Sequence, residues 1–476
     1  MYRTSEIQAF SVDYLSSSHY NICMSTNTFK GGLHLPEHKE LSDGQAIHAV
    51  CPSAKLFCIP VTQGGAQNNP VVAVGDKVAR GQKIAESDAF MSVPVHSSVS
   101  GVVKSIENKL VSGNVQASCI IIEKDDRDDT AFLPVSDPFT CTKEEAVERI
   151  KQAGIVGMGG AAFPTHVKLS PPADKPIDCI IANGSECEPY LTVDERTMIE
   201  SADAVIDGLA IVMHIAGAKS GILALEDNKT HVLPILEEAI EKAGYSQTMG
   251  TVLCKTKYPQ GSERSIIQAA LNREIPRGGL PFDVGCLVCN VGTLCAISEA
   301  FREGKPLIER AFTVSGKACT KPQNLKVPVG TLISDLIEEY FDVCDDVKKI
   351  ISGGPMMGFA MKSPEFPVQK NTSGILFFNA AESNLTEESP CIGCGRCIKG
   401  CPWRLTPVLM ARALKNNDTD TAKKYGLMDC AECGSCAYVC PAHVRLVHRF
   451  RLGKMIARKK EANAKAKAAA MQKGGK

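Results

Sequence analysis

The chain has no excess of either charge: 53 Lys and Arg balance 53 Asp and Glu over 476 residues. That removes the basic footprint a nucleic-acid binder carries, so no nucleic-acid partner is expected. Long apolar runs are missing too, and nothing approaches the ~20 residues that a membrane span needs. Residues 1–20 are polar and hold no apolar h-region, so no secretory leader is expected. Cysteine, by contrast, is abundant at 21 residues, an odd number. So many thiols without a leader point to a reducing cytosol and away from a disulfide framework.

Eight of those cysteines spell one phrase twice: Cys391-x2-Cys394-x2-Cys397-x3-Cys401-Pro402 and Cys430-x2-Cys433-x2-Cys436-x3-Cys440-Pro441. Two-residue gaps let three thiolates of one tight turn reach three corners of an iron–sulfur cube. The fourth thiolate, beside a proline that stops the turn, ligates the other cube. The spacing therefore predicts one [4Fe–4S] cluster on Cys391, Cys394, Cys397 and Cys440, and a second on Cys430, Cys433, Cys436 and Cys401. A zinc knuckle explains a lone C-x2-C equally well, but it needs neither the third cysteine nor the exchanged fourth. A further C-x2-C, Cys286 and Cys289 with Cys295 nearby, shows no matching fourth ligand and reads as small buried residues.

Between residues 55 and 124 the text turns to short β runs, such as Val71-Val72-Ala73-Val74 and Ile120-Ile121-Ile122, punctuated by Gly75-Asp76 and Gly81-Gln82. The wording resembles a biotinyl/lipoyl-type barrel-sandwich hybrid. Carriers of that type present a modifiable lysine at a hairpin tip. The corresponding stretch here, Ser87-Asp88-Ala89-Phe90-Met91-Ser92, has none, so a structural module without an attached group is expected.

A capping box at Thr142-x-x-Glu145 opens a helix that ends at Gly154. The run Gly157-Met158-Gly159-Gly160-Ala161-Ala162-Phe163-Pro164 follows. It fits G-x-G-x-x-G/A in letters, yet a helix precedes it and Pro164 closes it, whereas the dinucleotide fingerprint follows a strand and opens a helix. A ligand loop and a structural turn both stay open, since small residues admit a flat ring against the backbone. A buried strand at residues 178–182 leads into Asn183-Gly184-Ser185-Glu186-Cys187-Glu188. Strand ends of this kind bind ligands in α/β folds; a solvated loop is the plain alternative. One helix is expected over residues 192–216, and a strand at 287–290 delivers Asn290. Residues 305–359 read as a small β-grasp-like domain with a helix at 332–340, closing on Ser352-Gly353-Gly354-Pro355-Met356-Met357-Gly358. Residues 445–476 carry eleven Lys/Arg against one acid, Glu461. A membrane-surface or partner-docking tail and an exposed Ala/Lys helix are the two readings.

Several strings together resemble the RnfC family, the peripheral NADH-side subunits of Rnf ion-translocating electron-transport complexes. They are Thr28-Phe29-Lys30-Gly31-Gly32, Pro36-Glu37-His38-Lys39, Gly159-Gly160-Ala161-Ala162-Phe163-Pro164, Glu186-Cys187-Glu188-Pro189-Tyr190, Asn290-Val291-Gly292-Thr293, residues 352–358 and both cysteine runs. The middle of the chain is also similar to the flavin-bearing, NADH-binding subunit of respiratory complex I. That resemblance implies FMN held by Gly157, Gly159, Gly160 and Lys168, the lysine acting as a point charge at the phosphate. It also implies an acidic loop of Asn183, Ser185, Glu186 and Glu188, and a second loop of Tyr258, Gly261, Ser262 and Glu263. Asn290 and Thr293 match its strand end, and Phe163 and Phe282 its aromatics beside the nicotinamide dinucleotide. Ala162 stands for a glycine, Ser262 for an acid, Cys289 for an asparagine and Gly292 for a glutamate, departures that bear on the nucleotide pose.

The implied architecture is multidomain α/β and α+β. It comprises an arm (1–54), a barrel-sandwich hybrid (55–125), a complex I-type FMN/NADH-binding α/β domain (139–304), a β-grasp, SLBB-like domain (305–365), a two-cluster ferredoxin-like helical domain (385–445) and a basic tail (446–476). The implied work is electron transfer between NADH/NAD+, FMN, two [4Fe–4S] clusters and partner subunits, with no side-chain nucleophile. Those partners are a ferredoxin-like iron–sulfur subunit and membrane subunits, with ferredoxin beyond them and Na+ or H+ moved by the complex. The expected place is the cytoplasmic face of the membrane, without a transmembrane segment. Two other readings stand beside it. Cobalamin reductases of propanediol utilisation share the flavin core and cluster pair but resemble this chain less at its N-terminus. A cluster-bearing adaptor would bind no nucleotide, and flavin content separates it from the rest.

Overall fold

The computed structural model describes residues 27–383 and 386–473, with side chains to residue 465. Residues 1–20, read above for a leader, lie outside the described residues.

At the centre is a four-stranded, all-parallel sheet in the order Met249–Cys254, Ser220–Glu226, Cys179–Asn183, Cys286–Asn290. Parallel strands buried on both faces read as continuous apolar runs, as Ile180, Ile181, Leu287 and Val288 do here. One face packs against helices Ala202–Ala216 and Val291–Arg302 through Val205, Leu209, Leu294 and Ile297. The other packs against helix Glu263–Leu271 through Ile266 and Ile267. Burial of such side chains is worth roughly 1.5–3 kcal/mol each, far more than helix propensity supplies. Gly208 lets the first two helices close up: a methyl there would sit 2.1 Å from the Leu294 carbonyl.

The strand order positions the site. From Cys179–Asn183 the chain lays two further strands outward on one side, then returns to place Cys286–Asn290 on the other. A crevice opens where the order reverses, at the C-terminal ends, and there Asn183 and Asn290 stand in register. The single helix expected over 192–216 is two, Val193–Glu200 and Ala202–Ala216, because Ser201 leaves helical geometry at φ −131°, ψ 34°.

A four-stranded antiparallel sheet (Leu56–Pro60, Val115–Lys124, Gly101–Val111, Lys77–Val78) faces a three-stranded one (Asn69–Pro70, Lys83–Glu86, Val95–His96), enclosing Phe57, Ile59, Ile84, Val95 and Ile120. A six-stranded mixed sheet runs Ile47–Ala49, Gln323–Pro328, Glu309–Ser315, Gly374–Phe378, Lys349–Ser352, Phe359–Met361. It reaches beyond residues 305–365 in both directions, since the arm supplies one edge strand and Gly374–Phe378 an inner one. The helix expected at 332–340 is a single tight turn, Ser334–Leu336, and Glu338 at φ +73° turns the chain away from helical geometry.

The cysteine runs lie among short helices: Arg396–Lys399, Pro407–Lys415, Thr419–Lys424 and Ser435–Tyr438. Helix Leu446–Lys473 is basic as read, but its first half is built into this domain: Phe450 and Ala457 are buried there, and Lys454 reaches the Cys430 carbonyl and Glu432. Among the described residues no helix is long and apolar enough to cross a membrane.

Candidate functional site

The glycine run closes as a hairpin, with the Gly157 amide donating to the Phe163 carbonyl at 2.8 Å. It lies over the end of strand Cys286–Asn290: the Met158 amide donates to Thr293 Oγ1 at 3.0 Å, and a methyl on Gly159 would meet Asn290 Cβ at 3.3 Å. Gly159, Gly160 and Ala161 are exposed, and Phe163 is 42% exposed. Ala162 holds φ +52°, a conformation that suits glycine. Phe282 is half-buried and packs against the central core.

Beneath the hairpin, helix Val291–Arg302 is capped by Asn290, whose Oδ1 accepts from the Gly292 amide while its Nδ2 donates to Asp194 Oδ2 at 2.7 Å. Burial, reinforced by nearby Glu186, raises Asp194 to about 6. Asn183 Nδ2 donates to the Gly261 carbonyl at 2.8 Å, tying the two crevice loops together. The Gly261 amide donates to Cys187 Sγ at 3.3 Å.

Glu186 and Glu188 are buried rather than solvated. Glu186 sits at φ +51°, accepts from the Asp194 amide at 2.7 Å, and has Lys39 Nζ at 3.6 Å. Glu188 accepts from the Met356 and Met357 amides at 2.9 and 3.0 Å; burial raises it to about 7 although those donors pull the other way. The arm's Pro36-Glu37-His38-Lys39 thereby acquires a role. Lys39 also donates to the Glu186 carbonyl, and His38 stacks on Tyr190 at 4.9 Å.

Lys168 Nζ lies at the inner end of the crevice, 2.8 Å from Glu263 and 2.7 Å from the Val288 carbonyl. Burial alone would lower this lysine; the Glu263 carboxylate outweighs it and the net shift is upward, so the cation is kept. Ser262 caps helix Glu263–Leu271 without spending its hydroxyl. Among the described residues, the buried Ser185 Oγ, one Glu186 carboxylate oxygen and both amide atoms of Gln260 have no hydrogen-bond partner. Leaving such groups unpaired costs about 1–3 kcal/mol each. Glycine walls, a retained cation near a helix N-terminus and orphaned polar atoms fit a flat, polar, phosphate-bearing group such as FMN. Sequence reasoning passed over Asp194, Lys39, Cys187 and Gln260. Asp194 in the first turn of its helix was the one local signal, and it reads equally well as a favourable helix dipole.

In the cluster domain, Cys401, Cys430, Cys433 and Cys436 line one small cavity together with Pro402, Trp403 and Leu405. Cys397 has the thiols of Cys440 and Cys391 for electrostatic neighbours. Cys401, Cys433 and Cys436 are buried, whereas Cys391 and Cys394 are exposed. Burial pushes the Cys430 thiol up to about 11, so ligation must displace its proton. Two sets of four thiols fit two cubanes. Cys286 and Cys289 lie buried in the central sheet, and Cys289 neighbours Lys168.

Comparison with known proteins fits this geometry. Residues 27–127 match the RnfC barrel sandwich hybrid domain, 150–299 the Nuo51 FMN-binding domain, and 384–441 a 4Fe-4S dicluster domain. The RnfC subunit of the proton-translocating ferredoxin:NAD(+) oxidoreductase complex of Clostridium ljungdahlii is 43% identical over 406 residues, 84% of this chain and 88% of that one. The chain belongs to the RnfC family. The corresponding RnfC subunit of the Na(+)-translocating complex of Acetobacterium woodii is 39% identical, over 92% of this chain and 99% of its own. That of the ion-translocating oxidoreductase complex of Rhodobacter capsulatus is 36% identical, over 90% and 82%. In this member of the RnfC family, the flavin-binding domain and the dicluster domain are parts of one chain.

Proposed function

We propose that this chain is the NAD(H)-side electron-transfer subunit of an ion-translocating ferredoxin:NAD+ oxidoreductase complex. The observation that carries the reading is one chain holding a Nuo51-type crevice and two sets of cluster-spaced thiols in direct contact. A bound flavin supplies the exchange between hydride pairs and single electrons, and cubanes carry the single electrons.

The residues of this chain position and shield. Gly157, Gly159 and Gly160 give a flat ring access to backbone, and Phe163 and Phe282 stand for the nicotinamide side. Lys168, with Ser262 and Glu263 at the helix start, serves the phosphate. Asn183, Ser185, Glu186, Asn290 and Thr293 set the floor of the crevice, and Asp194 fixes the Asn290 amide. Cys430, Cys433, Cys436 and Cys401 hold the cluster nearer the flavin, because the Tyr258 hydroxyl donates a hydrogen bond to the Cys433 carbonyl at 2.6 Å. Cys391, Cys394, Cys397 and Cys440 hold the outer one, where exposed Cys391, Cys394 and Ile392 offer an exit toward a partner subunit. With no membrane-crossing helix among the described residues, the chain attaches peripherally, and the cytoplasmic face is the place where NADH and ferredoxin are met.

The test is anaerobic purification followed by flavin and iron analysis and addition of NADH. Bound FMN, two clusters' worth of iron and NADH-driven bleaching are expected. Protein with clusters but no flavin and no response to NADH would leave the adaptor reading.

A further inference from the structure

The glycine-rich loop at residues 352–358 belongs to neither the flavin domain nor the cluster domain, yet it touches both. On one side Glu188 accepts from the Met356 and Met357 amides, at 2.9 and 3.0 Å. The fit is tight: a methyl on Gly354 would lie 2.3 Å from Glu188 Oε2. On the other side the Met356 carbonyl presses on the second cysteine run, where a methyl on Gly434 would meet it at 2.7 Å. Arg451 of the C-terminal helix donates to the Met357 carbonyl at 3.1 Å and stacks over Phe359.

The repeat supplies an internal control. Gly395 occupies the position of Gly434 in the first run, with nearly the same backbone, φ +71° against +85°. Around Gly395 no atom of the described residues lies within 4 Å of an added methyl. A ferredoxin turn asks for glycine at both positions, but only the second is also asked to receive a neighbour's carbonyl.

We propose that the 352–358 loop is a positioning element that sets the gap between the flavin crevice and the inner cluster, with Glu188 gripping its amides and Gly434 seating its Met356 carbonyl. The inference rests on the flavin and cluster assignment above and adds to it the part that holds the two centres in register. A backbone-to-backbone seat is stiffer than a side-chain contact, because neither partner has rotamers to yield. The loop therefore acts through position, without touching the reacting atoms.

The test compares Gly434→Ala, Gly354→Ala and Gly395→Ala in the full chain, each with flavin and iron counted first. Two rates are then followed after rapid mixing with NADH: flavin reduction and cluster bleaching. Gly434→Ala and Gly354→Ala should slow bleaching on the order of tenfold or more, as misplacement by about 1 Å does in other sites, with flavin reduction unchanged. Gly395→Ala should change neither rate. Amide exchange of the 352–358 peptide, measured without NADH, should quicken in the first two variants alone. If Gly434→Ala fails to assemble its cluster, Gly354→Ala decides, since it alters no cysteine turn. Full cofactors with all three variants behaving like the parent would overturn the positioning role alone. A parent chain without flavin or clusters would overturn the functional reading and this inference with it.

Discussion

A methyl group at Gly395 would project into open space, and at Gly434, the same place in the second copy of the repeat, it would strike the Met356 carbonyl. The same contrast runs through both cysteine sets. Cys401, Cys433 and Cys436 are buried at 9%, 8% and 8% exposure, beside Trp403, Leu405 and Phe450, while Cys391 and Cys394 stand at the surface. Spacing determines which thiols can share a cube; surroundings determine what each cube is for. A buried set seated on the flavin loops suits internal transfer, and an exposed set suits hand-over to another protein.

The sharpest way to break this comparison is to remove one ligand from each set. Cys433→Ala and Cys394→Ala should each lose one cluster's worth of iron while FMN stays bound, read by iron and flavin analysis. Equal iron in parent and variant would contradict the ligand sets. Lys168→Ala should weaken FMN retention by roughly 1–3 kcal/mol, the worth of a charge-assisted contact, with both clusters intact. Full flavin occupancy after dialysis would refute that role.

The flavin half can also be told from the cluster half by pH. Lys370, 1% exposed, donates to the Pro94 and Gly154 carbonyls at 2.9 and 2.7 Å, and burial lowers it from 10.5 to about 7. Between those values the unfolded chain holds the proton and the folded chain does not, so folding stability rises with pH across that window and the gain is absent below it. Lys370→Met should flatten the slope in denaturant unfolding between about pH 7 and 10, while cluster bleaching keeps its pH dependence. An unchanged slope would show that Lys370 is not the group.

Smaller effects belong to the seat itself. Tyr258→Phe strips the donor from the Cys433 carbonyl and should cost about 1–2 kcal/mol of cluster-domain stability. Arg277→Ala removes the exposed pair to Asp429 at 2.8 Å and should cost under about 1 kcal/mol, less at high salt. Equal costs for the two would mean the buried contact is not special.

Much of this was legible in the sequence because it is local. Spacing identified the thiols, apolar runs the parallel strands, and Thr142 with Glu145 a helix start that the structure forms as a capping box. The acidic string 186–188 read as ligand loop or solvated loop with equal ease, because its burial depends on Lys39, about 150 residues away in sequence. The bonds from Tyr258 to Cys433 and from Glu188 to Met356 span 175 and 168 residues, and no periodicity announces them. The expected helix at 332–340 failed for a local reason, the left-handed Glu338, which ordinary helix propensity does not foresee.

The order of the two clusters along the electron path is the central claim, and one measurement reaches it directly. With NADH added under anaerobic conditions to the two single-cluster proteins, the cluster that remains in Cys394→Ala should bleach as fast as the first phase of the parent. The one that remains in Cys433→Ala should bleach far more slowly. Fast bleaching in Cys433→Ala with none in Cys394→Ala would reverse the order and contradict the account.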